Sequence, residues 1–495
     1  MTEDVPLPLS EREAMVMAGE MDEYLNGGRE PDERFHEIAA ALSAVGAKAA
    51  LLQTANQARI GQPYEMSRFA PRLSEEEIEF LRTFYGELDE MTPNGLVHLM
   101  PWLEGDEGPD WGSAERDAFA AGVADGLLTL SDEGVGGGQY LLPERVRDFA
   151  NGLPVEDWRE RGLLDSRAKG VRSLNWLADA EDFARLLQHS DPGLHGGTEF
   201  SANVTLSTGH HLGHNDLAIT QDREDAIGSL LEVTTRNESA NHAVLTGGIE
   251  HPAARVEDSR YASEHMPDFG ENRDALAGLY SHDWRDDGEA VAGLTDWITE
   301  FAKGTPGQAQ MAGDATVGLM ETLAGEADDR PFHDTQHQSD TNYQLAVTEV
   351  NPEIAESLTG IYLTYLADLT LHAESSGYDT IESGPSSLLL HEPSDKALFI
   401  DDATKERFVQ LLIADVDSAD FVTSSIEALE IDIINAALDS PHPEALRNAG
   451  NTTGGMRTII HDAMIHEFED RTGTARKRRT KRPLGGRRGS TSGSP

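Results

Sequence analysis

Apolar residues in this chain recur at steps of three and four, and few stretches alternate at steps of two over a useful length, which points to helix-on-helix packing. Leu81, Phe84, Tyr85 and Leu88 share one helical face. They follow Ser74-Glu75-Glu76-Glu77, an acidic start suited to a helix N-terminus, where unpaired N–H groups and the dipole favour carboxylates. Phe183, Leu186 and Leu187 repeat the pattern, as do Phe408, Leu411 and Leu412. Both triplets read Phe-x-x-Leu-Leu and are closely followed by an aspartate, Asp191 or Asp415, which hints at a reused helical unit without the fixed period of a solenoid. Tyr140-Leu141-Leu142 and Leu388-Leu389-Leu390 are short apolar runs that could be extended, although neither alternates.

Gly, Pro and Asp cluster at 104–113, 132–138, 191–197, 303–307 and 375–395, and the helices are expected to break there. The expected fold class is all-α. An N-terminal helical unit over 1–150 and a larger body over 170–470, built from packed helical hairpins, precede a basic tail over 471–495.

Charge divides the chain at the same place. All 89 Asp and Glu residues and 30 of the 39 Lys and Arg residues lie in 1–470, whereas 471–495 carries nine bases and no acid. Such a body repels nucleic acid and anionic lipid, so its expected partners are proteins offering cations, basic surfaces or neutral grooves. The tail has one packable residue, Leu484, and is expected to be disordered. It has two readings: a genuine nucleic-acid-binding or addressing segment, or the product of a reading-frame change in GC-rich DNA. The absence of cysteine removes disulfides, thiolate nucleophiles and cysteine-ligated metals together. No stretch approaches 18 uninterrupted apolar residues, so no transmembrane segment is expected. The acidic start Met1-Thr2-Glu3-Asp4 lacks the apolar core of a signal peptide. The expected location is the cytoplasm, or outside the cell by a signal-peptide-independent route.

No catalytic residue or cofactor is assigned. The candidate metal ligands are His210, His211 and His214, whose three- and four-residue spacing puts them on one side of a helix. The glutamate of His-Glu-x-x-His is missing, and Gly209 and Gly213 weaken a helix, so a polar loop or helix end is the plainer expectation. His333-Asp334-Thr335-Gln336-His337 follows Asp328-Asp329-Arg330 and reads as a charged loop. There is no Gly-x-Ser-x-Gly elbow and no phosphate-binding Gly-x-x-x-x-Gly-Lys loop, and Gly134–Gly138 reads as a linker. Asp283–Asp287 has carboxylates for calcium but carries Arg285 and lacks EF-hand order. Other motifs speak to folding. Trp284 and Trp297 are expected core anchors, Asp191-Pro192-Gly193 a helix stop, and Asn351-Pro352 an N-cap with proline at the first helical position.

Several phrases resemble those of actinobacterial TPR-repeat-region proteins associated with type VII (WXG100-type) secretion. They are Leu186–Leu194 with Gly197–Phe200, Tyr280–Gly288 leading to Leu294–Ile298, Asn351–Leu363, and Asn448–Gly454, and the resemblance covers roughly 80–470. It implies an all-helical, non-enzymatic scaffold or protein-interaction module whose partners include secretion components. The alternatives are the delivery portion of a polymorphic toxin lacking its effector domain, and a metal-dependent hydrolase using the three histidines. The chain departs from the resemblance in having no Trp-x-Gly, and the usual 34-residue TPR signature is not visible. Substrates of that secretion route carry Tyr-x-x-x-Asp/Glu, and Tyr85…Asp89, Tyr140…Glu144 and Tyr378…Glu382 match the string.

Overall fold

The computed structural model describes residues 10–26, 28–57, 70–106, 108–155, 169–213, 219–249, 272–325, 331–333, 335–336, 344–366, 369, 377–380, 396–439 and 445–481. The N-terminal part contains α1 (Glu11–Leu25), α2 (Glu33–Gln57), α3 (Glu75–Met91), α4 (Leu99–Glu104), α5 (Ser113–Ser131) and α6 (Glu144–Ala150). The middle contains α7 (Lys169–Leu187), α8 (Thr198–Gly213), α9 (Gln221–Thr234), α10 (Glu238–Thr246), α11 (Asn272–Tyr280), α12 (Glu289–Ala292) and α13 (Trp297–Phe301). After α14 (Pro306–Ala324) comes an antiparallel ribbon of β1 (Thr335–Gln336) and β2 (Gln344–Leu345), then α15 (Val347–Val350) and α16 (Pro352–Thr364). A second ribbon pairs β3 (Gly377–Thr380) with β4 (Lys396–Phe399), and α17 (Asp402–Ala414), α18 (Val416–Asp439) and α19 (Ala445–Lys481) complete the order. The all-α expectation holds: the two ribbons are short, and Leu398 of β4 is the residue of theirs that joins a core otherwise built by helices and the turns between them, among the described residues.

Helices two apart in the chain lie side by side: α1 on α3, α3 on α5, α5 on α7 and α7 on α9, while α8 packs on α10. That is the packing of stacked helical hairpins. Local chemistry fixes the starts. The Ser74 side chain accepts the Glu77 N–H while the Glu77 carboxylate accepts the Ser74 N–H at 2.8 Å, a complete capping box. Thr305 and Gln308 do the same for α14, with Pro306 at its first position.

Both Phe-x-x-Leu-Leu triplets are fully buried, on α7 and α17, and Trp284 and Trp297 are core residues as expected. Trp176 stacks on Phe149 with centroids 4.9 Å apart and donates its indole N–H to the Phe149 carbonyl at 2.9 Å. Apolar packing is thus continuous from α6 to α7, across residues 156–168, which lie outside those described. Each such side chain contributes about 1.5–3 kcal/mol by leaving water. By length and its mean hydropathy of 1.4, α2 is able to cross a bilayer. Its Phe35, Ile38, Leu42 and Val45 are instead buried, and it packs on α5.

The structure departs from the sequence reading in five places. His210 and His211 sit in no polar loop: α8 runs through both and is buried continuously from Phe200 to Leu212. Gly209 and Gly213 help to bury the helix, because they let α11 approach its backbone. A Cβ on Gly209 would lie 2.1 Å from the Ala275 carbonyl oxygen, and one on Gly278 would lie 1.9 Å from that of Gly209. The 132–138 segment is a packed turn, with Val135 buried and Gly138 N–H donating to Leu130 O at 2.8 Å. The backbone at Gln139–Leu141 is a 3₁₀ turn, so Tyr140 does not begin a strand, while 388–390 lies outside the described residues. Asn351 begins α16, yet its side chain reaches away from the helix. Its amide donates to Tyr280 O at 2.9 Å and His282 O at 2.8 Å, and its oxygen accepts the Trp284 N–H at 3.1 Å. Finally, the backbone of α19 stays helical through Lys481, so only 482–495 of the expected tail lies outside the described residues.

Candidate functional site

A cleft of about 460 Å³ opens between α16 and the start of α18. One wall is a single face of α16: Pro352, Glu353, Glu356, Thr359, Gly360 and Leu363, spaced at three and four. The opposite face of that helix buries Ile354, Leu358 and Ile361, which fixes how α16 presents its polar side. The other wall is Asp415, Asp417, Ser418 and Phe421. Asp415 accepts the Ser418 N–H at 2.8 Å and so starts α18 immediately after α17 ends.

Charge and apolar surface alternate here. Partial desolvation and then the like charges of Glu356, Glu289, Asp287 and Asp296 push the Glu353 carboxyl above its ordinary range. Burial, and then Glu356, push Asp296 the same way. The α12 end of this rim is held in place by Asp286, which accepts the N–H groups of Gly288 at 3.0 Å and Ala290 at 3.2 Å. Between the acids lie Leu363 and Phe421, the latter 65% exposed. A Cβ on Gly360 would meet only Thr299 Cγ2, at 3.6 Å, so the missing side chain deepens the floor without being required by packing. The Thr359 hydroxyl is buried in the lining with no hydrogen-bond partner among the described residues. A buried hydroxyl without a partner costs about 1–3 kcal/mol, which a ligand acceptor or donor would recover. The arrangement suits a cationic, partly apolar chain segment.

The residues singled out from sequence lie elsewhere. His211 donates from Nε2 to Gly152 O at 3.0 Å, shares a 3.1 Å hydrogen bond with Ser173 Oγ through Nδ1, and stacks on Trp176. Both nitrogens are committed to the core, and His210 packs edge-on against the His211 ring. His214 lies outside the described residues. Among the described residues no three His, Asp or Glu side chains are grouped to hold a metal. His333 Nε2 donates to the Arg407 carbonyl at 3.0 Å, while Asp334 and His337 are outside the described set. In the Asp283–Asp287 run, Asp286 is the cap noted above, and Arg285 donates its backbone N–H to Glu224 at 2.7 Å. Tyr85 and Asp89 are buried: the Tyr85 hydroxyl donates to Gly122 O at 2.8 Å, and Asp89 accepts the Leu96 N–H at 2.8 Å. That pair is therefore closed to a receptor in the folded protein. Tyr140 is exposed, and Glu382 is outside the described residues.

Sequence reasoning missed the cleft. Its available signal was the acidic and small-residue face of Pro352–Leu363 opposite an apolar one, together with the apolar Phe421 between Asp417, Asp420 and a run of small polar residues.

Residues 68–297 match the family model of a TPR repeat domain. The match spans the stacked hairpins from α3 to the start of α13, and includes Asp287, Glu289 and Asp296 on the rim of the cleft but neither of its walls. No curated protein and no solved structure matches the chain.

Proposed function

We propose that this protein is a non-enzymatic helical scaffold whose cleft between α16 and α18 binds a basic, partly apolar segment of another protein. The observation that carries this reading is the coincidence, in one cleft, of mutually repelling carboxylates, the exposed Phe421 ring and the unpartnered Thr359 hydroxyl. The TPR repeat match supports it, because stacked helical pairs build extended concave surfaces for other chains. The resemblance to type VII secretion proteins supplies the setting: the partner is a component or cargo of such an apparatus, met in the cytoplasm or after export. Loss of the protein from the medium of a secretion-defective strain would place it among the exported chains, including the delivery portion of a toxin. Its retention in the cell lysate of the intact strain would place it as a cytoplasmic adaptor.

Binding is tested with a fluorescent arginine- and leucine-containing peptide and an acidic control of equal length, read by anisotropy. Phe421→Ala is expected to weaken the basic peptide at least tenfold, and Glu353→Gln with Asp417→Asn to remove most of its salt dependence. Equal binding of both peptides, or unchanged affinity in both variants, overturns the assignment.

A further inference from the structure

The course of α19 bears on the cleft. Glu430 on α18 accepts hydrogen bonds from Arg457 Nε on α19 at 2.7 and 2.9 Å. The two helices are consecutive and closely joined, so they run antiparallel, and that pair sets Phe421 level with His466 and Asp417 level with Asp470. A second tie agrees with this register. Gln410 on α17 donates to Glu467 at 3.4 Å, close to the corner at Asp415 where α17 gives way to α18. The backbone of α19 therefore passes the acidic end of the cleft and continues from 470 to Lys481, about 16 Å further. Phe421 is two and a half turns from Glu430, so the cleft opens on the side of α18 away from α19.

The cleft lacks the charge that residues 482–495 carry. Among the described residues its lining holds Glu353, Glu356, Asp415 and Asp417 and no Lys or Arg, with the exposed Phe421 ring between them. Residues 482–495 hold Arg482, Arg487 and Arg488 and no acid. Pro483 has no N–H with which to extend a helix, and Gly485-Gly486 permit a reversal of the chain. From Lys481 to the far side of α18 at Asp417 is about 16 Å back along the axis. It is about 15 Å across, which is the 8–10 Å between packed helix axes plus a helix radius of about 5–6 Å, or about 22 Å in all. Arg482, next in the chain after Lys481, falls short. Arg487 and Arg488 follow Lys481 by six and seven residues and span about 20–25 Å when extended. Their guanidinium forks match carboxylates and stack on aromatic faces.

We propose that residues 482–495 occupy the cleft of their own chain, with Arg487 and Arg488 set against Glu353, Glu356 and Asp417 and one guanidinium stacked on Phe421. The segment is tethered, so it competes at an effective concentration in the millimolar range. A partner's basic segment then enters only by displacing it. The proposal rests on the peptide-binding reading of the cleft and adds its regulation.

The test uses full-length chains and the same labelled arginine- and leucine-containing peptide. Arg487→Gln with Arg488→Gln is expected to bind it at least tenfold more tightly than wild type, and Arg482→Gln within about twofold of wild type. The absence of cysteine allows a direct check of position. Gly360→Cys, where a Cβ has room, combined with Ser490→Cys, is expected to close a disulfide within one chain, recovered at the 53.8 kDa chain mass. Equal peptide affinity in wild type and the double arginine variant overturns self-occupation and leaves the peptide-binding reading standing. No binding by either chain overturns both. No disulfide, or disulfides formed only between chains, overturns the placement of 482–495 in its own cleft.

Discussion

Raising the pH from 6 to 9.5 should remove a specific tie between α4 and α7. His98, which precedes α4, is buried with its Nδ1 2.8 Å from Asp182 Oδ2 and its Nε2 3.2 Å from Asp179 Oδ1, both on α7. Burial alone would depress the imidazole, but the two carboxylates outweigh it and raise its pKa from 6.5 to about 9. Because the folded value lies above the unfolded one, the stabilisation is fully present below pH 6.5 and is lost as pH rises through 9. At about 1.4 kcal/mol for each tenfold change in proton affinity, the difference is about 3 kcal/mol for the unit containing α4 and α7. Trp102 and Trp176 lie on those two helices, so urea unfolding followed by tryptophan fluorescence reads the relevant segment. The wild type is expected to lose about 2–3 kcal/mol between pH 6 and 9.5, and His98→Gln to lose the excess over this interval. Parallel pH profiles for wild type and variant would refute the assignment of that proton to His98.

Asp125 provides a contrasting case at lower pH. Burial raises its carboxyl to about 6, so the fold favours the protonated acid and this contribution is lost as pH rises from the unfolded value to 6. Asp125→Asn, which keeps an acceptor for the Asp191 N–H, is therefore expected to gain stability over wild type at pH 7.5 in thermal melts. Gly278→Val would set its Cβ only 1.9 Å from Gly209 O, and a loss of about 3 kcal/mol or more is expected by circular dichroism melting. Gln53→Leu removes the amide that donates to Asp132 Oδ2 and His195 O, both at 2.8 Å, while the buried aspartate remains. A cost of about 1–3 kcal/mol is expected in urea unfolding.

Helices and their starts were readable because they depend on neighbours three and four residues away. Ser74 with Glu77, the face of Leu81, Phe84, Tyr85 and Leu88, and the two Phe-x-x-Leu-Leu triplets all appear as the pattern implies. What could not be read depends on residues far apart. Gly209 and Gly213 look like helix breakers until α11 brings Ala275 and Gly278 against them. Asn351 has the composition of an N-cap, and only the 280–284 turn shows why its amide goes elsewhere. The histidine pair resembled a ligand set for the same reason, since the Trp176 ring, Ser173 and Gly152 that occupy His211 come from other segments. The cleft is likewise made by two stretches about sixty residues apart, and neither announces the other.

The unbroken burial of α8 has a kinetic consequence. Its neighbours α6, α7, α9, α10 and α11 are drawn from both sides along the chain, and no face of the helix from Phe200 to Leu212 is left to solvent. Its amide protons can therefore exchange only when several surrounding helices separate together, which sets them among the slowest in the molecule. For the same reason the helix is dry only after segments from both sides have closed over it, and its protection should be acquired late in refolding.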